Sequence, residues 1–144
     1  MGQHRALDSR LLRVEGQLGG FSFERARIVE MLREAGMLDS VAILSGDMHA
    51  LAFDDGTHSP GEMPVMQAAP LDQENTEKGG PYSFGPITAS ESQYGLIDVS
   101  DDGSDRLRFR FRGISVDRDT GRETVEIDEY LHLAAGPSVG GNRG

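Results

Sequence analysis

The sequence predicts a mixed α/β fold in which a helix and a buried strand precede an antiparallel β-meander. Three observations carry this prediction: an amphipathic helical pattern at residues 22–35, an unbroken apolar run at 41–44, and three strand-like segments between residues 94 and 133. A helix followed by a strand is the α-to-β step of layered folds, and strands separated by short turns are typical of a meander. The length of 144 residues indicates one domain.

The helix prediction rests on its two ends and on one apolar stripe. Ser22 is a favourable N-cap, and Gly36 follows the last helical turn. Apolar side chains recur between them at helical spacing, namely Ala26, Ile28, Val29, Met31 and Leu32. The helical pattern before residue 19 is only partial, so residues 1–18 are interpreted as a lead-in or junction segment that forms either a short helix or a disordered stretch.

The apolar run at 41–44 suits a central parallel strand that is covered on both faces. Gly46 ends this strand, and Asp47 and His49 follow two positions apart. In an extended backbone such side chains lie on the same side, and open α/β sheets place their chemistry beyond the carboxyl ends of strands. The pattern therefore suggests a metal site formed by Asp47 and His49. A turn-forming aspartate and a hydrogen-bonded core histidine are the alternatives.

A second acidic segment follows directly. Residues 50–53 and the turn Asp54-Asp55-Gly56 predict a hairpin or a strand that bends away. Asp54, Asp55 and His58 are weaker metal-ligand candidates, because Asp-Asp-Gly is first of all a turn sequence.

The middle of the chain contains a long polar segment. Residues 64–70 predict one more short strand, and residues 71–92 predict a loop that is either functional or disordered. Lys78 and Tyr82 in its glycine-rich part are candidates for binding a substrate phosphate, with a solvated loop as the alternative. Asp72 is a candidate for supporting the site or for forming a turn.

The meander is predicted at residues 94–99, 106–115 and 123–133. On its second strand Leu107, Phe109 and Phe111 alternate with Arg106, Arg108, Arg110 and Arg112, and on its third strand Val125, Ile127 and Leu131 alternate with polar residues. Arginines that face acids across a strand pair stabilise a sheet by a few tenths of a kcal/mol each. This interpretation is favoured over a phosphate-binding stripe. Residues 134–144 are interpreted as a flexible tail.

Charge and composition narrow the classes of function. The chain has 14 Lys and Arg against 24 Asp and Glu, a net charge of −10, which argues against generic binding to nucleic acid or anionic membrane. With no cysteine, a thiolate metal site within the chain is excluded. We find no export signal and no apolar run of about 18 residues, so no membrane span is expected and the compartment stays open.

Five sequence segments occur in an order that points to one family. They are Gly-Gly-Phe-Ser-Phe-Glu-Arg-Ala-Arg-Ile at 19–28, Leu-Ser-Gly-Asp-Met-His at 44–49, Gln-Ala-Ala-Pro-Leu-Asp at 67–72, Lys-Gly-Gly-Pro-Tyr-Ser at 78–83 and Gln-Tyr-Gly-Leu at 93–96. Through them, residues 19–133 resemble the C-terminal part of a PhoD-like phosphatase, a branch of the calcineurin-like metallophosphoesterases. The resemblance implies the C-terminal half of a four-layer α/β/β/α sandwich that hydrolyses phosphate mono- or diesters, as alkaline phosphatases and phosphodiesterases do.

The resemblance also implies a multinuclear metal centre, with Fe, Ca, Mn or Zn as possible ions and with Asp47 and His49 as ligands. We expect His49 to donate its other ring N–H to a carboxylate or carbonyl. The family carries further ligands on earlier strands, including an Asn-bearing motif that this sequence lacks. Two ligands do not hold a catalytic cluster tightly, so the chain is expected to be inactive without a ligand-bearing N-terminal half.

A fragment of a sandwich should expose an apolar sheet face. Phe109, Phe111 and the run at 41–44 are the candidates for that exposed surface, and an ordinary core closed by the helix at 22–35 is the alternative. A different class of function is also consistent with the residues, namely a small acidic binding or regulatory domain in which Asp47 and His49 are structural.

Overall fold

The computed structural model describes residues 22–68, 70–76, 79–88 and 92–135, which contain one α-helix and two β-sheets. Helix α1 spans Ser22–Glu34, and a 3-10 turn spans Leu38–Ser40. The strands are β1 (Ile43–Ser45), β2 (Leu51–Asp54), β3 (Val65–Gln67), β4 (Phe84–Ile87), β5 (Gln93–Ser100), β6 (Arg106–Val116) and β7 (Glu123–Ala134). The mixed α/β class and the helix are confirmed. The segments 1–18 and 136–144 lie outside the described residues.

The two sheets differ in topology. The first has the order β1-β3-β2-β4, with β1 parallel to β3 and β2 antiparallel to both β3 and β4. The second is β5-β6-β7, the predicted antiparallel meander. Strand β4 lies in the segment 71–92, for which the sequence predicted only a loop. Gly85 and Pro86 conceal it, because both residue types are rare inside strands.

Strand β2, not β1, is the strand that is covered on both faces. All four β2 residues are buried, whereas β1 forms an edge of its sheet in the described chain and Leu44 is 64% exposed. The prediction of a central strand at 41–44 is therefore wrong for the described residues, although its parallel pairing is confirmed. Consecutive apolar residues occur in both segments, and this pattern does not determine which strands become neighbours.

The two sheets pack against each other through a shared apolar cluster. Phe53 of β2 stacks on Phe111 of β6 with ring centroids 6.2 Å apart, and Phe109 packs against the same cluster. Phe111 is only 2% exposed and Phe109 is partly buried against the cluster, so the expectation of an exposed surface at these two phenylalanines is wrong. The meander, and not the helix at 22–35, closes this core.

Apolar surface remains exposed on α1 and β1. Phe23, Ile28 and Met31 of the helix are each more than half exposed, and so is Leu44 of β1. The prediction that the run at 41–44 exposes apolar surface is thus confirmed at one of its residues, Leu44. Among the described residues, no helix has both the length and the apolar character needed to cross a membrane.

A register shift changes which residues of β7 face the core. Ile127 pairs with Gly113, but Val125 pairs with Ile114, so Glu126 is an extra residue on β7. Such a bulge breaks the two-residue alternation of a strand. Val125, predicted on the packed face, is consequently 53% exposed, whereas Ile127 is buried as predicted.

The outer face of the meander carries the predicted arginine–acid pairs. Arg110 donates two hydrogen bonds to Asp128, at 2.7 and 2.6 Å, and Arg112 donates one to Asp98 at 2.9 Å. The Arg110 guanidinium also lies 5.6 Å from the centre of the Tyr130 ring. These contacts support a structural role for the arginines over phosphate binding.

This pairing predicts a pH dependence of stability. The hydrogen bonds from Arg110 hold the pKa of Asp128 below its usual value. Because the folded-state pKa is depressed, the stabilisation is present above the unfolded-state pKa and is lost as the pH falls through the folded-state value. We expect the free energy of unfolding to fall below about pH 4 in the wild type and to fall less in Asp128→Asn. Urea denaturation at several pH values measures this difference, and identical pH profiles of the two proteins would contradict it.

Candidate functional site

Two parallel strands open onto one groove at their carboxyl ends. β1 ends at Ser45 and β3 at Gln67, and the residues that follow them, Gly46 and Ala68, line a groove of about 560 Å³. His49 lines the same groove. Because open α/β sheets bind ligands beyond the carboxyl ends of parallel strands, this groove is the candidate site.

One ring nitrogen of His49 is hydrogen-bonded, and the other has no partner among the described residues. Its Nδ1 lies 2.9 Å from the carbonyl oxygen of Glu74. A carbonyl only accepts hydrogen bonds, so Nδ1 carries a proton, and whenever the ring is neutral Nε2 keeps its lone pair. The expected donation of one ring N–H to a carbonyl or carboxylate is thus confirmed. Metal-binding histidines are oriented by the same kind of contact.

The backbone at His49 is not extended. Its φ is 62°, in the left-handed region that residues with a Cβ seldom adopt, and residues 48–50 form bends. The prediction that an extended backbone places Asp47 and His49 on the same side therefore rested on a wrong premise. Asp47 is exposed, Met48 is buried and His49 is half-buried.

The donors at this end of β1 suit a metal ion in type but are few in number. A carboxylate and a neutral imidazole bind hard or borderline cations. Within the described ranges, neither Asp47 nor His49 belongs to a group of three potential ligands whose donor atoms lie within 4.8 Å of one another. His49 lines the groove and Asp47 is not among its lining residues, so the two residues match a metal site in donor type alone, and further ligands would have to be added.

Asp54, Asp55 and His58 do form such a group, with donor atoms within 4.8 Å. By distance alone this group could hold a metal ion. Asp54 is completely buried, and its Oδ1 accepts hydrogen bonds from the amides of Gly56, His58 and Ser59 at 2.8, 3.3 and 3.1 Å. One oxygen of the buried carboxylate is thus occupied in organising the turn, as the turn interpretation predicts.

The second oxygen of Asp54 is also engaged. Its Oδ2 lies 3.0 Å from Nδ1 of His58 and accepts the amide of Ser83 at 3.2 Å. The Ser83 hydroxyl lies 3.4 Å from the same His58 nitrogen. A catalytic Ser-His-Asp triad needs the serine and the aspartate on different ring nitrogens, so these three residues do not form one.

Hydrogen bonds from Thr57 lower the pKa of the neighbouring Asp55.

Tyr82 directs its hydroxyl toward the protein interior. The hydroxyl donates to the sulfur of Met48 at 3.1 Å, and a Cβ added to Gly79 would lie 2.5 Å from the hydroxyl oxygen. Burial raises the pKa of Tyr82, so the phenol stays protonated near neutral pH. Tyr82 is not among the residues that line the groove. Its role in substrate binding stays a prediction, and Lys78 lies outside the described residues.

Sequence reasoning missed three residues around the groove. The carbonyl of Glu74 accepts a hydrogen bond from the His49 ring, and the hydroxyl of Thr76 donates to the carbonyl of Met48. The buried Gln93 lines the groove, and its Nε2 donates to the carbonyl of Ile87 at 2.9 Å. Glu74 and Thr76 lie in the segment 71–92, which the sequence predicted as a loop that is either functional or disordered, and the functional alternative was the available signal. Asp72 also lines the groove and pairs with Arg118 at 2.6 Å.

The chain matches no protein-family model, and searches of curated proteins and of solved structures gave no match. The resemblance to PhoD-like phosphatases therefore stays a prediction that rests on the five sequence segments.

Proposed function

We propose that the chain is the C-terminal portion of a PhoD-like, metal-dependent phosphoesterase, that it contributes Asp47 and His49 as metal ligands, and that it is inactive alone. One observation carries the proposal: His49, whose Nε2 has no hydrogen-bond partner among the described residues, lines a groove at the carboxyl ends of two parallel strands. A metal ion bound there would act as a Lewis acid on a phosphoryl oxygen and activate water near neutral pH. The proposed substrates are phosphate mono- or diesters.

The role of this chain's own residues is to hold and orient the ligand atoms. The carbonyl of Glu74 keeps the proton of His49 on Nδ1, and Asp47 supplies an anionic oxygen donor at an exposed position. The net charge of −10 repels a phosphate ester unless cations offset it. A requirement for metal ions is therefore consistent with the charge of the chain as well as with its donors.

Inactivity in isolation follows from the number of ligands. Hydrolytic zinc sites typically use three protein ligands, and two-metal sites use more. The remaining ligands are proposed to come from a separate ligand-bearing half. Asp47 is exposed, and β1 is an edge strand in the described chain. Both features support an approach of the ligand-bearing half to the β1 side of the sheet.

Calorimetric titration with Mn²⁺, Zn²⁺ and Ca²⁺ tests the metal ligands. We expect Asp47→Ala with His49→Ala to weaken binding at least about tenfold relative to the wild type, because loss of a ligand removes direct coordination. The matched control is Asp101→Ala with His132→Ala, which removes the same residue types from exposed positions near the meander turns. Equal affinities of the wild type and the Asp47/His49 variant would overturn the proposal.

A non-catalytic acidic binding or regulatory domain is the second candidate. The observation in its favour is that, in the described part of the chain, no third ligand joins Asp47 and His49. The free energy of unfolding of the metal-free double variant separates the two candidates. An unchanged stability with weakened metal binding favours the phosphoesterase portion, and unfolding of the metal-free variant favours the structural role.

A further inference from the structure

Three hydrogen bonds join residues 74–76 to residues 48–49. The hydroxyl of Thr76 donates to the carbonyl of Met48 at 2.6 Å, and the amide of Thr76 donates to the carbonyl of His49 at 3.2 Å. The His49 ring donates through Nδ1 to the carbonyl of Glu74 at 2.9 Å. One short segment thus contacts both the backbone and the ring of the same histidine.

His49 needs this support because of its backbone conformation. A φ of 62° is unfavourable for a residue with a Cβ and persists where surrounding contacts fix it. The preceding residue is held by further contacts, since the Met48 side chain is buried and its sulfur accepts the Tyr82 hydroxyl. The Met48 carbonyl belongs to the peptide bond between Met48 and His49, and it accepts the hydrogen bond from the Thr76 hydroxyl.

We propose that Thr76 is a positioning residue for His49. Its hydroxyl fixes the peptide between Met48 and His49 in the orientation that keeps Nδ1 on the Glu74 carbonyl, which leaves Nε2 without a partner among the described residues. The use of that nitrogen for a metal ion rests on the proposed function, but the positioning itself requires no metal. Thr76 therefore acts through His49.

The ring tautomer of His49 is the direct readout of this role. Thr76→Val keeps the branched shape and removes the hydroxyl, whereas Thr76→Ser keeps the hydroxyl. The ¹⁵N chemical shifts of the ring, assigned with His49→Gln, should show the Nδ1–H form in the wild type and in Thr76→Ser. In Thr76→Val we expect a shift toward the Nε2–H form that predominates in free histidine.

Thr57→Val is the matched control, because the Thr57 hydroxyl also makes a 2.6 Å hydrogen bond, to Asp55 in a different loop. This variant should leave the His49 tautomer unchanged. If Thr76→Val does not fold, Thr76→Cys replaces it, since a thiol is only a weak donor. An unchanged tautomer in the folded hydroxyl-free variant, or a failure of Thr76→Ser to restore the wild-type shifts, overturns the proposal.

Titration of the same proteins with Zn²⁺ alone connects the tautomer to the proposed function. We expect Thr76→Val to bind Zn²⁺ about tenfold more weakly, as is typical when a group that orients a metal ligand is removed. If the tautomer responds as expected but the wild type binds no Zn²⁺, the positioning role stands and the proposed function fails.

Discussion

Replacement of Asp54 by alanine is expected to lower the free energy of unfolding by about 3–5 kcal/mol. The Asp54 side chain is completely buried, and its two oxygens accept backbone amides from both the 56–59 turn and the segment preceding β4. Its removal leaves these donors without their acceptor in a poorly solvated place, and each such donor costs about 1–3 kcal/mol. Since small domains are stable by only about 5–15 kcal/mol, the variant should be close to unfolding at room temperature.

The neighbouring carboxylate is the matched control for this prediction. Asp55 is exposed and accepts hydrogen bonds from Thr57, so Asp55→Ala should cost about 1 kcal/mol or less. Urea denaturation followed by circular dichroism gives both values. A loss at Asp54 no larger than that at Asp55 would show that the buried carboxylate does not organise the turn. Metal affinity near the wild-type value in folded Asp54→Asn would agree with a structural role for this cluster.

The parts of the fold that the sequence predicts well are those with a sustained repeat. The eleven- and twelve-residue strands β6 and β7 show their alternation over many residues, and α1 is marked at both ends. Strands of three or four residues are too short to show a period, which is why β4 was missed and β1 was assigned the central position that β2 occupies. The packing of the meander on β2 depends on contacts between distant segments, which local patterns do not contain.

The same distinction applies to the site. The Asp47 and His49 pair is visible in the sequence because it combines two metal-binding residue types behind a strand. The orienting contacts are not visible, because the Glu74 carbonyl lies 25 residues from His49 and any residue type provides a carbonyl. The left-handed backbone at His49 is hidden for a related reason, since contacts from Thr76, 28 residues beyond Met48, support it.

Phe111→Ala is expected to destabilise the protein by about 3–5 kcal/mol through loss of the contact between the two sheets. The ring stacks on Phe53 of the opposite sheet with an interplanar angle of 15°. A Cβ added to Gly95 would lie 2.8 Å from a Phe111 ring carbon, so the ring sits directly over the backbone of β5. Neighbouring strands of a hydrogen-bonded sheet do not close such a space, and a cavity should remain.

Phe23→Ala is the control, because it removes the same side chain from a position that is 61% exposed. We expect a loss below about 1 kcal/mol there, since little apolar area is returned to water. Gly95 and Tyr94 line the candidate groove, so loss of the Phe111 ring should also loosen one wall of the groove. Denaturant titrations of the three proteins, with hydrogen exchange of the β5 amides, measure both effects. Similar losses in the two variants would mean that the sheets are not held together by the Phe53–Phe111 contact.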